Sequence, residues 1–263
     1  MLSNLNQTKM GDATQVPNFD VIVIGAGFAG LYALYRMRDH LGLTVRAYDS
    51  AGGVGGTWYW NRYPGARCDI ESIHYSYSFS EKLQQEWEWT ERYASQPEIL
   101  AYLNHVADRF DLRRDIQFNT RVASMVWDEE AHQWQVGFDD GNTARARWVI
   151  SATGPLTAAP HVPDFAGMNK FSGEVYMTAR WPHQDVDLKG KRVAVIGTGP
   201  SGIQVIQEIA KDAAYLTVFQ RTADYATPLG NGPLVPSELA SVKKRYSKIR
   251  EAARNHFLGI PPI

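Results

Sequence analysis

The chain has 263 residues, 44% of them hydrophobic and 21% charged, and a formal net charge of −1. That composition is ordinary for a globular protein, and the near-zero charge gives no general attraction to nucleic acid or to an anionic membrane. No apolar run reaches the roughly 18–20 residues that span a bilayer, the start of the chain lacks the apolar core of a signal peptide, and the single cysteine, Cys68, can form no internal disulfide. A cytoplasmic enzyme is the expectation.

Residues 1–18 are polar and read as a loosely attached arm. A buried-strand pattern then runs from Asp20 to Ile24 and enters the turn Gly25-Ala-Gly27-Phe-Ala-Gly30. Leu31, Leu34 and Tyr35 follow at helical spacing, which predicts a helix to about Asp39. Leu43 to Tyr48 reads as a second strand ending at Asp49. This is a β-α-β unit, the context in which such a glycine turn holds a dinucleotide. The first glycine makes the tight turn, the second lets backbone meet a pyrophosphate, and the third lets helix pack on strand. Residues 51–70 read as an irregular loop in which Gly52, Gly53, Gly55 and Gly56 let backbone approach a ligand closely. Asp69 stands just before a helix expected at Glu71-Ser72 and would be its N-cap.

Ser95-Gln-Pro97-Glu98 has the form of a capping box and predicts a helix whose apolar face is Ile99, Leu103, Val106 and Phe110. From about Ile116 to Ile150 the period changes to two, with a turn at residues 139–142, so a small antiparallel meander is expected. It leads into a sharp turn at Ser151-Ala-Thr-Gly154-Pro155. Residues 155–190 are a connector rich in proline and aromatics.

A second β-α-β unit spans Arg192 to Arg221 around Gly197-Thr-Gly199-Pro-Ser-Gly202. Beyond a turn-rich loop from Pro228 to Pro236, Ser237 to about Asn255 reads as an amphipathic helix with Leu239, Val242, Tyr246 and Ile249 on one face. Asp49 and Arg221 stand at the same distance beyond Gly30 and Gly202. A carboxylate there accepts from a ribose diol, whereas a guanidinium suits a 2′-phosphate, which Thr222 could also contact. The pairing implies two dinucleotides, one FAD- or NAD-like and one NADP-like, and hence redox chemistry. The histidines show no metal-ligand spacing, so no metal site is expected. The fold expected is α/β, with two Rossmann-like dinucleotide-binding units and a small antiparallel β-meander between them.

Gly25-x-Gly27-x-x-Gly30, then Gly55-Gly56-Thr57-Trp58-Tyr59-Trp60-Asn61-Arg62-Tyr63-Pro64-Gly65, then Phe171-x-Gly173 with Trp181-Pro182, then Gly197-x-Gly199-x-x-Gly202, together resemble the type I Baeyer–Villiger monooxygenases. The resemblance implies an FAD- and NADPH-dependent monooxygenase that uses O2 to convert a ketone to an ester or lactone. It implies FAD on Gly25, Gly27, Gly30 and Asp49, with Gly56, Thr57 and Trp58 along the flavin, and NADPH on Gly197, Gly199, Gly202, Arg221 and Thr222. Asp69 corresponds to the family's catalytic aspartate, which pairs with a catalytic arginine and helps position the nicotinamide. The domains implied are a flexible arm at 1–18, an FAD-binding part at 19–154, a connector with the fingerprint motif at 155–190 and an NADP-binding part at 191–263.

Two departures stand out. Met177 occupies the fingerprint's histidine position, and a thioether cannot relay a proton. Family members also extend well beyond the match, so both domains are incomplete relative to the family and the arginine partner of Asp69 has no counterpart here. The chain alone is therefore expected to be impaired or inactive, with a second polypeptide as one source of the missing C-terminal half. The other readings are an N- or S-oxygenating flavin monooxygenase and a non-catalytic nucleotide-binding fragment.

Overall fold

The computed structural model describes residues 16–156, 162–257 and 259–260. Most of the expected N-terminal arm lies outside the described residues, and Asn18 already belongs to the first strand. Strands β1 (Asn18–Ile24), β2 (Val45–Tyr48), β3 (Ile116–Gln117), β4 (Val122–Asp128), β5 (Gln133–Phe138) and β6 (Thr143–Ser151) form one sheet in the order β3-β2-β1-β6-β5-β4. β1 lies parallel to both β2 and β6, and β2 to β3, while β4, β5 and β6 run antiparallel. The expected α/β architecture and meander are both present. The meander is continuous with the first unit, because the first half of β6 pairs with β5 and most of its length pairs with β1.

β1 is buried on both faces, as a central parallel strand must be. Val21 and Val23 pack with Leu31 and Leu34 of α1 (Phe28–Tyr35) and with Ile99, Leu103 and Val106 of α4 (Gln96–Arg109). Ile22 and Ile24 face the other way, onto Tyr48, Val136, Phe138, Ala144 and Ala146. The helix that begins at Phe28 widens into a π-type turn over Arg36–His40, where Arg38 donates to the carbonyls of Phe110 and Asp111. Between α1 and α4 come the short helices α2 (Thr57–Trp60) and α3 (Glu81–Glu86).

Three local expectations are corrected. The stretch 51–70 contains α2, so it is not wholly irregular. No capping box forms at α4: Ser95 makes no side-chain cap, and Glu98 Oε1 instead accepts from the Thr90 amide at 2.7 Å. The helix start is held by backbone pairing, with Gln96 N donating to Ala66 O and Cys68 N to Ala94 O. No helix forms at Glu71-Ser72, because Ser72 is buried with its hydroxyl on the carbonyls of Glu91 and Arg92. Asp69 therefore caps no helix there.

The second unit consists of β7 (Arg192–Ile196), α5 (Pro200–Asp212) and β8 (Tyr215–Phe219), with β7 and β8 parallel. Its two-stranded sheet leaves Ile196, Tyr215 and Phe219 more than half exposed, at 65%, 63% and 55%. Helix α6 (Pro236–Asn255) buries the expected face, Leu239, Val242, Tyr246 and Ile249. It does so against the first unit, where Val242, Tyr246 and Ile249 cluster with Ile73 and Lys243 Nζ donates to Gln85 O at 2.7 Å.

Candidate functional site

Three backbone segments converge at the end of β1. Gly25 sits at φ +107°, and a Cβ there would lie 2.5 Å from the Ala152 carbonyl oxygen. Gly55 N donates to Ala26 O at 3.0 Å, and a Cβ on Gly56 would lie 2.9 Å from Gly27 Cα. Gly30 turns inward, where a Cβ would run into the Gly25 carbonyl. Only backbone free of side chains fits this junction. Beside it opens a cavity of about 750 Å³, lined among others by Gly25, Gly27, Asp49, Gly56, Thr57 and Trp58. That volume is typical of a small-molecule or cofactor site. Gly27 caps α1 without a side-chain hydrogen bond, and among the described residues no side chain is seen to accept from the first-turn N–H groups, so the helix N-terminus suits an anion.

In the cavity lining Asp49 is buried, with Oδ2 accepting from Ala26 N at 2.6 Å and Oδ1 from Ala51 N at 2.8 Å. Burial pushes its carboxyl above the usual carboxylate range, against the pull of those two N–H groups. Both oxygens are thus already engaged, and each keeps a second lone pair for a diol. Also in the lining, Trp58 Nε1 donates to Tyr75 Oη at 3.1 Å, and the Arg180 guanidinium lies 5.1 Å from the Trp60 ring centre.

Tyr75, Arg121 and Arg180 line the cavity without having been singled out in the sequence. For Arg180 a signal existed, since it adjoins the Trp181-Pro182 fingerprint. Arg121 and Tyr75 lie in segments whose local pattern carries no site signal.

The second glycine turn repeats the first: Gly197 has φ +106°, and a Cβ on Gly202 would lie 2.5 Å from Gly197 O. Its surroundings differ. Among the described residues no atom would lie within 4 Å of a Cβ at Gly199, and Arg221 and Thr222 are exposed just past β8. Gly199 caps α5 without a side-chain bond, and Pro200 in the first turn removes one amide donor. Gly197, Gly199, Gly202, Arg221 and Thr222 therefore form an open surface apart from the first cavity.

Asp69 is not in the cavity wall. It is exposed, and its Oδ1 accepts from Nε2 of Gln204, on α5, at 3.1 Å. Met177 is half-buried in the connector. Nearby, His183 stacks obliquely on Tyr59 with ring centres 5.3 Å apart, and modest burial together with Arg62 holds its imidazole below the usual range. Burial pushes the Cys68 thiol up to about 11, leaving it a passive side chain. Among the described residues no group of three His, Cys, Asp or Glu side chains could hold a metal ion, and no helix is long and apolar enough to cross a membrane.

A family model described as flavin-binding monooxygenase-like matches residues 19–228. The chain is 48% identical over 240 residues to the acetone monooxygenase (methyl acetate-forming) of Gordonia sp. (strain TY-5), covering 91% of this chain and 45% of that protein. It is 46% identical over 238 residues to a phenazine N-monooxygenase of Lysobacter antibioticus, covering 90% of this chain and 44% of that protein. A solved structure of an oxidized steroid monooxygenase bound to NADP matches with a TM-score of 0.91 at 57% identity, over 94% of this chain and 47% of that one. The chain thus spans less than half the length of each of these relatives.

Proposed function

The chain belongs to the flavin-binding monooxygenase-like family, and from that premise we propose that it is the FAD- and NADPH-binding part of a Baeyer–Villiger-type ketone monooxygenase. The observation that carries this reading is the close backbone junction of Gly25–Gly27 and Gly55–Gly56 with Ala152, where a Cβ on Gly25, Gly30 or Gly56 would clash, beside the 750 Å³ cavity. That cradle and the uncapped N-terminus of α1 fit a dinucleotide pyrophosphate. Acetone conversion to methyl acetate by one relative, and NADP in the structure of another, support the reaction and the second nucleotide.

In this reading Gly25, Gly27 and Gly30 shape the pyrophosphate turn, and Asp49 accepts from the ribose. Gly56, Thr57 and Trp58 border the flavin ring system. The chemistry supplied by bound FAD is dioxygen activation, and that supplied by NADPH is the hydride. The chain's own part is to orient these groups and to keep water from the ring end, where Trp58, Trp60 and Tyr75 form an aromatic wall. On the second unit Gly197, Gly199 and Gly202 take the pyrophosphate, and Arg221 with Thr222 takes the 2′-phosphate. Asp69 positions the nicotinamide end. Because the chain spans less than half of each relative, turnover also draws on what those relatives carry beyond the match, from the same polypeptide or a second one. A cytoplasmic setting fits the lone, buried Cys68.

The 46% identity to a phenazine N-monooxygenase favours N-oxygenation as the second reading. The test is to purify the protein, record whether it retains flavin absorption, and assay NADPH oxidation with a ketone, a thioether and an N-heteroarene, identifying products by mass. Ester formation supports the first reading and N-oxide formation the second. Absence of both bound flavin and NADPH oxidation leaves a non-catalytic fragment and overturns the proposal.

A further inference from the structure

Gln204 belongs to α5, just past the last glycine of the second turn, yet its side chain is spent on the first unit. Its Oε1 accepts from Tyr63 Oη at 2.9 Å and from the Arg67 amide at 3.3 Å. Its Nε2 donates to the Arg67 carbonyl and to Asp69 Oδ1, each at 3.1 Å. Both amide hydrogens and both oxygen lone pairs are thereby used, which is the full capacity of a carboxamide. The junction is tight and apolar around that centre, with Tyr63 and Ala66 buried against Val205 and Ile209. A rigid helix thus has the phosphate-facing turn at one end and, one turn along, a fully occupied amide gripping residues 63–69.

We propose that Gln204 is a positioning residue for Asp69, and that through it a dinucleotide at the second glycine turn and one in the first cavity raise each other's affinity. The inference rests on the proposed assignment of two dinucleotides to the two turns. The physical basis is short: a ligand that orders the start of α5 also orders Gln204, and loop 63–69 runs directly from the aromatic segment bordering the cavity. Coupling of this kind is reciprocal, so either ligand can report it.

The test uses the 263-residue chain. The dissociation constant of NADP+ is measured by calorimetry with and without saturating FAD, in wild type, Gln204→Leu, Gln204→Glu, Asp69→Asn and the double variant Gln204→Glu/Asp69→Asn. The wild-type ratio is expected on the order of 5- to 150-fold, and in Gln204→Leu it should fall to about one while each nucleotide alone binds within about threefold of wild type. Gln204→Glu sets a carboxylate against Asp69 and should also abolish the coupling. In the double variant the introduced amide can donate to the introduced carboxylate, so part of the coupling returns. A residue that merely filled space would show no such rescue. An unchanged ratio in Gln204→Leu, or a double variant no better than Gln204→Glu, overturns the inference and leaves the proposed function standing. A wild-type chain that binds neither nucleotide overturns both.

Discussion

The carboxylate of Asp49 accepts a 2.6 Å hydrogen bond from the backbone nitrogen of Ala26, so the end of β2 is tied to the middle of the first glycine turn. Its other oxygen holds Ala51 N at 2.8 Å, where the chain sets out toward Gly55 and Gly56. The residue expected to read a ribose is therefore also the staple that keeps two cradle segments together.

Replacing Asp49 by Ala strands two buried amide donors, each costing about 1–3 kcal/mol, so a loss of about 2–6 kcal/mol in urea unfolding is expected. A loss under 1 kcal/mol would mean that water reaches both donors. The pH dependence has a definite sign. Burial raises the carboxyl above its ordinary 3.8, so the folded state holds the proton more tightly than the unfolded chain. The contribution is fully present below 3.8 and is lost as pH rises through the raised folded value. Relative to Asp49→Asn, wild type should lose stability over that window. A difference that moves in favour of wild type as pH rises would show that the two N–H bonds outweigh burial.

Gly65 tests the junction between the units. At φ +80°, its Cβ would stand 2.8 Å from both Gln204 O and Glu208 Cγ. Gly42 has a similar φ of +67° with no atom of the described residues within 4 Å of such a Cβ, so it isolates the backbone term. Gly42→Ala should cost about 1 kcal/mol and Gly65→Ala about 2–4 kcal/mol, with faster proteolysis between the units. Equal melting temperatures for the two variants would show that α5 shifts away from the loop without penalty.

Much of this architecture was legible in the chain, and the limits have physical causes. Both β-α-β units, the α4 face and the α6 face follow from local periodicity, which reports how strongly a face is buried. Periodicity is silent on the partner. Nothing in Val242, Tyr246 and Ile249 says that they meet Ile73 of the first unit rather than the neighbouring β7 and β8. Nor does alternation in β6 say that it pairs with β1 as well as β5. At Ser95 the local motif gives way to longer-range pairing: Glu98 Oε1 accepts from Thr90 N, and backbone bonds to Ala66 and Cys68 hold the helix start. Arg121 and Tyr75 reach the cavity through long-range topology, where no local signal could carry them.

Arg250 anchors that unexpected α6 contact. It is buried, with its guanidinium donating to Gln84 Oε1 at 3.0 Å, His74 O at 3.3 Å and Ser76 Oγ at 2.7 Å, and lying 5.3 Å from the Tyr246 ring centre. Three acceptors in a fork suit a planar guanidinium and not a compact ammonium. Arg250→Ala should therefore release α6, costing about 2–4 kcal/mol and accelerating amide exchange along 236–255, and Arg250→Lys should recover little of it. Full recovery by lysine would reduce the role of Arg250 to charge alone.

In the proposed reading, Arg221 sets which nucleotide the second turn prefers. The two glycine turns are built alike, with φ +107° at Gly25 and +106° at Gly197, so the turn itself cannot distinguish their ligands. The proposed discrimination therefore rests on the residue just past the second strand, Asp49 in one unit and the exposed Arg221 in the other. A charge-assisted pair with a 2′-phosphate is worth about 1.5–3 kcal/mol, so Arg221→Ala should weaken NADP+ about 10- to 100-fold. NAD+ lacks that phosphate, and its affinity should stay within about threefold of wild type, so the NADP+/NAD+ preference collapses. Calorimetric titration of both nucleotides checks this directly. Equal weakening of NADP+ and NAD+ would assign Arg221 to the turn's general electrostatics and remove it as the 2′-phosphate reader.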